Sequence, residues 1–370
     1  MHSYGIYTLA NDAVYDQLVA LLNSIEMNVG LDIPVCIIPF DDRLERVKHE
    51  ISSRANVVLF EDTKAIARWE KFAQAIWAAH PIAQNATSRQ HWGLGHHRKL
   101  VAFDGMFDKF VFYDADSLAM KPINDVFKRL QTYDFVFDDW EHKKSREVAA
   151  LNISLIEESG SYTEAQIRPK LHCSSFFGSK KGIFDALELD YLRQRLIDHN
   201  EITWVPRWWD DAFLFTYMTL RSDRPLFNFT LSPNSEERTG NCANADPFVN
   251  INHVLYNKQG LKPIHRIHYM GYSYKDFARL TKGEDMPMRY KSEFLHYRFL
   301  KQPELKPTVL KQPSVLLKVS RHLQKLGHKT AQLISQHRQK ELLPYAFPAN
   351  DLDAEVVKKD TKKVLVKSGQ

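Results

Sequence analysis

Through its first 140 residues the chain alternates short apolar runs with helical patterns, and this alternation limits the possible folds more than any other feature. SYGIYTLA (Ser3–Ala10) reads as a buried first strand, after which Asn11 or Asp12 caps an amphipathic helix carrying Val14, Leu18, Leu21, Leu22 and Ile25. IPVCIIPF (Ile33–Phe40) is a near-continuous apolar run of the kind buried in parallel sheets. NVVLFED (Asn56–Asp62) gives another strand, and Thr63–Ala79 fits a helix. A helical pattern in HWGLGHHRKLVAFDG leads into KFVFYDADS, followed by a short helix in PINDVFKRL and a strand in DFVFDD. Strands separated by helices require right-handed crossovers, so the expected fold class is α/β with a mostly parallel, doubly wound sheet. Ligands of such sheets bind beyond the carboxyl ends of the strands.

Further along, HCSSFFGSKKG (His172–Gly182) predicts a strand closed by a glycine turn, and IFDALELDYLRQRLIDH a strongly periodic helix. WWDDAFLFTYMTL (Trp208–Leu220) reads as a helix whose first turn carries Asp210 and Asp211, and PIHRIHYMG (Pro263–Gly271) as a late strand. One large domain is expected over residues 1–300, with halves of about 1–140 and 141–300. A basic helical extension is expected over 301–345, with Val315, Leu316, Val319, Leu323 and Leu326 on one side, and a flexible tail over 346–370.

The 370 residues suffice for a large core, and 44% apolar with 26% charged content is that of a folded globular chain. Charge is unevenly spread: residues 301–370 hold 14 Lys and Arg against 6 Asp and Glu, which leaves 36 against 39 for residues 1–300. A near-neutral body with a basic tail argues against a nucleic-acid-binding core, so no nucleic-acid partner is expected. Cys36, Cys173 and Cys242 are widely spaced and lack C-x-x-C pairing, which favours a reducing compartment over zinc or disulfide chemistry. The N-terminus shows no basic and apolar leader pattern, and a cytoplasmic location is expected, with peripheral membrane contact through the basic tail or simple packing of that tail weighed equally.

FVFYDADSL (Phe110–Leu118) ends an apolar strand on two carboxylates. Strand alternation puts Asp114 and Asp116 on one face, where they repel unless a cation intervenes. Hard carboxylate oxygens suit Mg²⁺ or Mn²⁺, and an ion held by few protein ligands keeps positions open for substrate phosphates. His268 is a candidate third ligand, and its imidazole tilts the preference towards Mn²⁺. Taken alone, DAD reads equally as a polar strand-to-loop transition, and one histidine among sixteen as packing.

Several stretches together give the chain a resemblance to nucleotide-sugar-dependent glycosyltransferases of the GT-A fold, nearest to the glycogenin-like and bacterial galactosyltransferase-like retaining enzymes. FVFYDADSL followed by KPINDVF resembles that family's D-x-D strand and the segment after it, with Ala115 between the two acids. YTLANDAVYDQLVALLNSI resembles its first strand and helix, which implies that Thr8, Asn11 and Tyr15 cradle the nucleotide. RKL resembles the helix that supplies Arg98 or Lys99 to the diphosphate. CSSFFGSKKG resembles its N-S-G-x-F strand beside the donor sugar, with Ser174 and Ser175 at the polar positions and Cys173 in place of the usual Asn. DDAFLFTY resembles its D-Q-x-x-L-N helix, with Asp210 at the family's Asp and Asp211 in place of its Gln. HYMG resembles the H-x-x-G loop, with His268 on the metal and Gly271 admitting the phosphates; Lys275 follows after Tyr272, Ser273 and Tyr274, further on than the family's lysine.

The resemblance implies transfer of a hexose from a nucleoside diphosphate sugar, a UDP-sugar for choice, to a hydroxyl acceptor on a glycan or lipid-linked glycan, with retention. Asp210 would meet the donor sugar, by analogy with the carboxylates of glycoside hydrolysis, unless it serves only as a carboxylate at a helix start. Asp211 would act as a base if the enzyme inverts. Two other classes stay open: a nucleotidyltransferase on a related fold, for which TLANDA offers no glycine-rich phosphate loop, and a non-catalytic membrane-associated scaffold.

Overall fold

A computed structural model describes residues 4–83, 88–206, 212–238, 241, 247–258 and 260–312, with the backbone alone for 88–94. The strands are β1 (Tyr4–Ala10), β2 (Val35–Pro39), β3 (Val57–Leu59), β4 (Lys109–Asp114), β5 (Ser117–Ala119), β6 (Phe135–Phe137), β7 (Phe176–Lys180), β8 (Leu226–Asn228), β9 (Val249–Ile251), β10 (Val254–Tyr256) and β11 (Arg266–His268). The α-helices are α1 (Tyr15–Asn28), α2 (Glu45–Ser52), α3 (Thr63–Ala79), α4 (Asn124–Arg129), α5 (Ile153–Glu158), α6 (Glu164–Ile167), α7 (Ala186–Ile197), α8 (Ala212–Arg221), α9 (Tyr274–Thr281) and α10 (Lys291–Arg298). Ser88–Asp104 winds as a 3₁₀ helix just ahead of β4.

Seven strands form the main sheet in the order β3-β2-β1-β4-β7-β6-β8. The pairs β3–β2, β2–β1 and β1–β4 are parallel, as the helical crossovers require, while β7 runs antiparallel to both β4 and β6. The sheet is thus mostly parallel with one reversed strand in its middle. Each face carries its own core. Tyr7, Phe110, Phe112 and Phe177 lie in one, against Phe103, and Ile6, Val111, Tyr113 and Phe176 lie in the other. The residue-by-residue alternation of β4 between these cores makes its register costly to slip.

Local chemistry sets several element starts. Asn11 accepts from the amide of Ala13, and Asp62 accepts from those of Lys64 and Ala65, which closes the N-terminus of α3 where the sequence places it. β4 ends at Asp114, and Ala115 and Asp116 form a turn before β5. The two aspartates are therefore brought together by a turn, not by strand alternation, which corrects the reading of DAD as continuous strand. β5 leaves the main sheet and pairs antiparallel with β11, matching His268 with Ser117 and Ile267 with Leu118. A third core, including Leu118, Ile267, Tyr269, Phe277 and Phe294, lies under this ribbon.

Two compact units divide the chain, Met1–Lys311 and Gln312–Gln370. Beyond Gln312 the second unit, with its expected basic helix and tail, lies outside the described residues. Among the described residues no helix is long and apolar enough to cross a membrane.

Candidate active site

At the carboxyl end of β4, Asp114, Asp116 and His268 offer ligand atoms that all lie within 4.8 Å of one another. Among the described residues no other cluster of three such side chains does so. His268 Nε2 is 3.3 Å from Asp116 Oδ1, and the β5–β11 ribbon fixes that approach, with the amide of Tyr269 donating to the carbonyl of Asp116 at 3.0 Å. Burial works against the charge of Asp116, but His268 beside it and Lys99 outweigh burial and hold its carboxyl below the usual value. The acid stays ionised at neutral pH.

Lys99, on the 3₁₀ helix, is buried and donates to Asp114 Oδ1 at 2.9 Å and to Ser174 Oγ at 3.3 Å. Its ammonium also lies 5.0 Å from the Phe112 ring centroid. One lysine stands against two aspartates. With an imidazole in reach and both acids half-buried, the donor set fits a hard divalent cation.

The structure separates the remaining candidate residues. Arg98 turns away from the acid pair, donating to Glu70 at 2.6 Å and to the carbonyl of Pro39 at 3.1 Å. Lys99 is the basic residue at the aspartates. Asn11 donates to Asp41 at 2.9 Å, and Asp41 is gripped in turn by Arg43. Thr8 is fully buried on β1, and Tyr15 donates to Glu50 at 2.8 Å beneath the Arg46 guanidinium. Ala115 is buried in the turn.

Ser175 joins the site through its backbone and its hydroxyl. Its carbonyl accepts from the amide of Asp114 at 2.9 Å, while its Oγ accepts from Arg266 at 2.8 Å and from the Cys173 thiol at 3.3 Å. Gly271 adopts φ 89°, a left-handed conformation that glycine takes without strain, three residues after His268. Lys275 is exposed on the first turn of α9. Trp208, Trp209, Asp210 and Asp211 lie outside the described residues.

Asp138 and Asp139, at the end of DFVFDD, are both buried. Asp139 accepts from the amides of Glu141 and Cys173 at 3.0 Å each, so it closes a turn. Burial pushes its carboxyl up to about 7, against the pull of those two amides. Sequence reasoning missed Arg266 and His265. The one signal for them was the density of basic and imidazole residues in IHRIH, too common a pattern to single out.

No family model matches the chain, and no curated protein does. Comparison of folds gives the class: this is the GT-A fold of the glycosyltransferases. The bifunctional glycosyltransferase WbbM, in its apo structure, superposes at a TM-score of 0.51 with 11% identity, over 83% of this chain and 52% of that one, so the chain spans about half of WbbM. Apo mouse xyloside xylosyltransferase 1 gives 0.44 with 8% identity, over 60% of this chain and 83% of that one. Galactosyltransferase LgtC in complex with donor and acceptor sugar analogs gives 0.40 with 11% identity, over 75% and 94%. The likeness to WbbM carries the fold assignment, and it speaks to fold alone.

Proposed function

We propose that the chain is a metal-dependent glycosyltransferase that moves a hexose from a nucleoside diphosphate sugar, with UDP as the nucleotide, to a hydroxyl of a glycan or lipid-linked glycan. The observation that carries this reading is the meeting of Asp114, Asp116, His268 and Lys99 at the carboxyl ends of parallel strands. The two aspartates and His268 would hold Mn²⁺ or Mg²⁺, and a bound ion would neutralise charge gathering on the departing diphosphate. Lys99 would add a second, preorganised positive charge on the same side. Ser174 and Ser175 would stand beside the donor sugar, with Gly271 and Lys275 towards the phosphates and Thr8, Asn11 and Tyr15 towards the nucleotide. Asp210 would meet the sugar.

In the step itself the bond between the anomeric carbon and the diphosphate oxygen breaks, the acceptor oxygen bonds to that carbon, and the acceptor proton passes to the leaving diphosphate. Retention is the course the resemblance implies, with Asp211 as base in the inverting alternative.

Slow hydrolysis of a UDP-hexose, with water as acceptor, gives a direct assay. UDP release from at least one member of a UDP-hexose panel is expected with Mn²⁺ or Mg²⁺ and not with a chelator. Asp116→Ala is expected to lower it about a hundredfold or more with the fold kept. Absence of turnover across UDP- and GDP-sugars with metal, or full activity in Asp116→Ala, would overturn the proposal.

A further inference from the structure

His268 sits on a ribbon of two three-residue strands outside the main sheet, and such a ribbon is marginal by itself. Something must hold it where its imidazole can share an ion with Asp114 and Asp116. Three residues earlier, His265 is fully buried between two carboxylates, with Nδ1 2.8 Å from Asp138 Oδ2 and Nε2 3.0 Å from Asp125 Oδ2. A neutral imidazole has one N–H, so bonding both carboxylates requires the doubly protonated ring. The rings of Phe229 and Phe176 pack about it at centroid distances of 4.5 and 5.7 Å.

Asp138 is the hub. Its carboxylate holds His265, while its carbonyl accepts from Arg266 at 3.1 Å and from the side chain of Asn241. Asn241 in turn accepts from the amide of His268 at 2.6 Å, and Arg266 reaches Ser175, just ahead of β7, whose carbonyl accepts from the amide of Asp114. The end of β6, α4, the start of β7 and β11 are thus tied at one buried point, one strand's length from the candidate metal ligands.

We propose that Asp125, His265 and Asp138 form a charged clamp that positions His268 for metal binding. This rests on the metal site of the proposed function, and it assigns residues that touch neither metal nor substrate. Ligand-orienting partners of this kind set metal affinity through geometry. A charged clamp suits the purpose, because losing the imidazolium removes the charge that bridges buried Asp138 to Asp125. Asp125 is the accessible end. It borders a pocket of about 190 Å³ lined also by Lys121, Glu236, Glu237 and Lys262, and Lys121 pairs with it at 2.6 Å. Burial opposes charge on His265, but Asp125 and Asp138 outweigh it and hold the ring above the usual histidine value, in keeping with the geometry.

Mn²⁺ binding to the full chain, read from the free-ion EPR signal, tests the clamp without reference to turnover. Wild type, Asp116→Ala and His265→Gln are compared where circular dichroism shows each to be folded. Asp116→Ala should lose binding, and His265→Gln should bind about tenfold more weakly or worse, with an altered bound-ion spectrum. A folded His265→Gln within about twofold of wild type, while Asp116→Ala has lost the ion, overturns the clamp and leaves the metal site standing. Wild type binding no Mn²⁺ overturns both. Should His265→Gln fail to fold, Asp125→Asn at the accessible end decides: about threefold weaker binding supports the clamp, and unchanged binding overturns it.

Discussion

At Lys99 a single ammonium bonds a carboxylate of the D-x-D pair and the hydroxyl of Ser174, from a position that solvent hardly reaches. Its charge works in two directions: it steadies Asp114, and it competes with any cation for the same oxygen. Lys99→Met separates these effects. Mn²⁺ should bind the variant as tightly as wild type or more so, because the competing charge is gone. Metal-dependent release of UDP should fall about a hundredfold or more, because the positive charge opposite the leaving group is gone too. Equal turnover in the two proteins, measured at saturating metal, would remove Lys99 from the proposed mechanism.

Among the elements, β7 is the one most tightly confined. It runs between β4 and β6, and a Cβ added at Gly178 would come within 2.5 Å of the Val126 side chain on α4. Gly178→Ala should therefore cost about 1–3 kcal/mol through overpacking, seen as a lower urea midpoint with an unchanged slope. An unchanged midpoint would mean that α4 yields freely there.

The ribbon β5–β11 gives a pH signature instead. His265 has its folded value raised above the ordinary 6.5, so the stability it supplies is full below about 6.5 and is lost as pH rises through the raised value. Asp125, whose carboxyl is held low by His265 and Lys121 in spite of burial, sets the opposite edge, lost as pH falls below the ordinary 3.8. Asp139, raised from 3.8 to about 7, also costs stability as pH rises, but that slope is complete near its own value. Unfolding free energy followed from pH 6 upward should decline in wild type, and His265→Gln should lose the His265 part of that decline while keeping the part from Asp139. Identical profiles would contradict the charged state of the ring.

Much of this was legible in the chain. Short apolar runs placed β1, β2 and β4, which are buried on both faces, and a period-3.6 pattern placed α3, because both signals are written locally. The reversed direction of β7 was not, since strand direction depends on which neighbours pair and not on the strand's own residues. DAD pointed to the pair of acids that meets His268, but for an incomplete reason, a turn doing what strand alternation was expected to do. The clamp was invisible because Asp125, Asp138 and His265 come from three separate elements, the third more than a hundred residues beyond the other two, and no local period encodes such a meeting.

Across the whole molecule, the site depends on distant parts of the fold coming together. The parallel half of the sheet brings Asp114 and Lys99, and residues 266–268 return along β5 to add His268. A nucleotide bound there should depend on the ion that would join them. Calorimetric titration of UDP into the chain, with Mn²⁺ and then with a chelator, tests this most directly. UDP should bind with Mn²⁺ present and at least about tenfold more weakly without it, and Asp116→Ala should behave in Mn²⁺ as wild type does in chelator. Equal affinity with and without the metal, or no binding in either, would contradict the account.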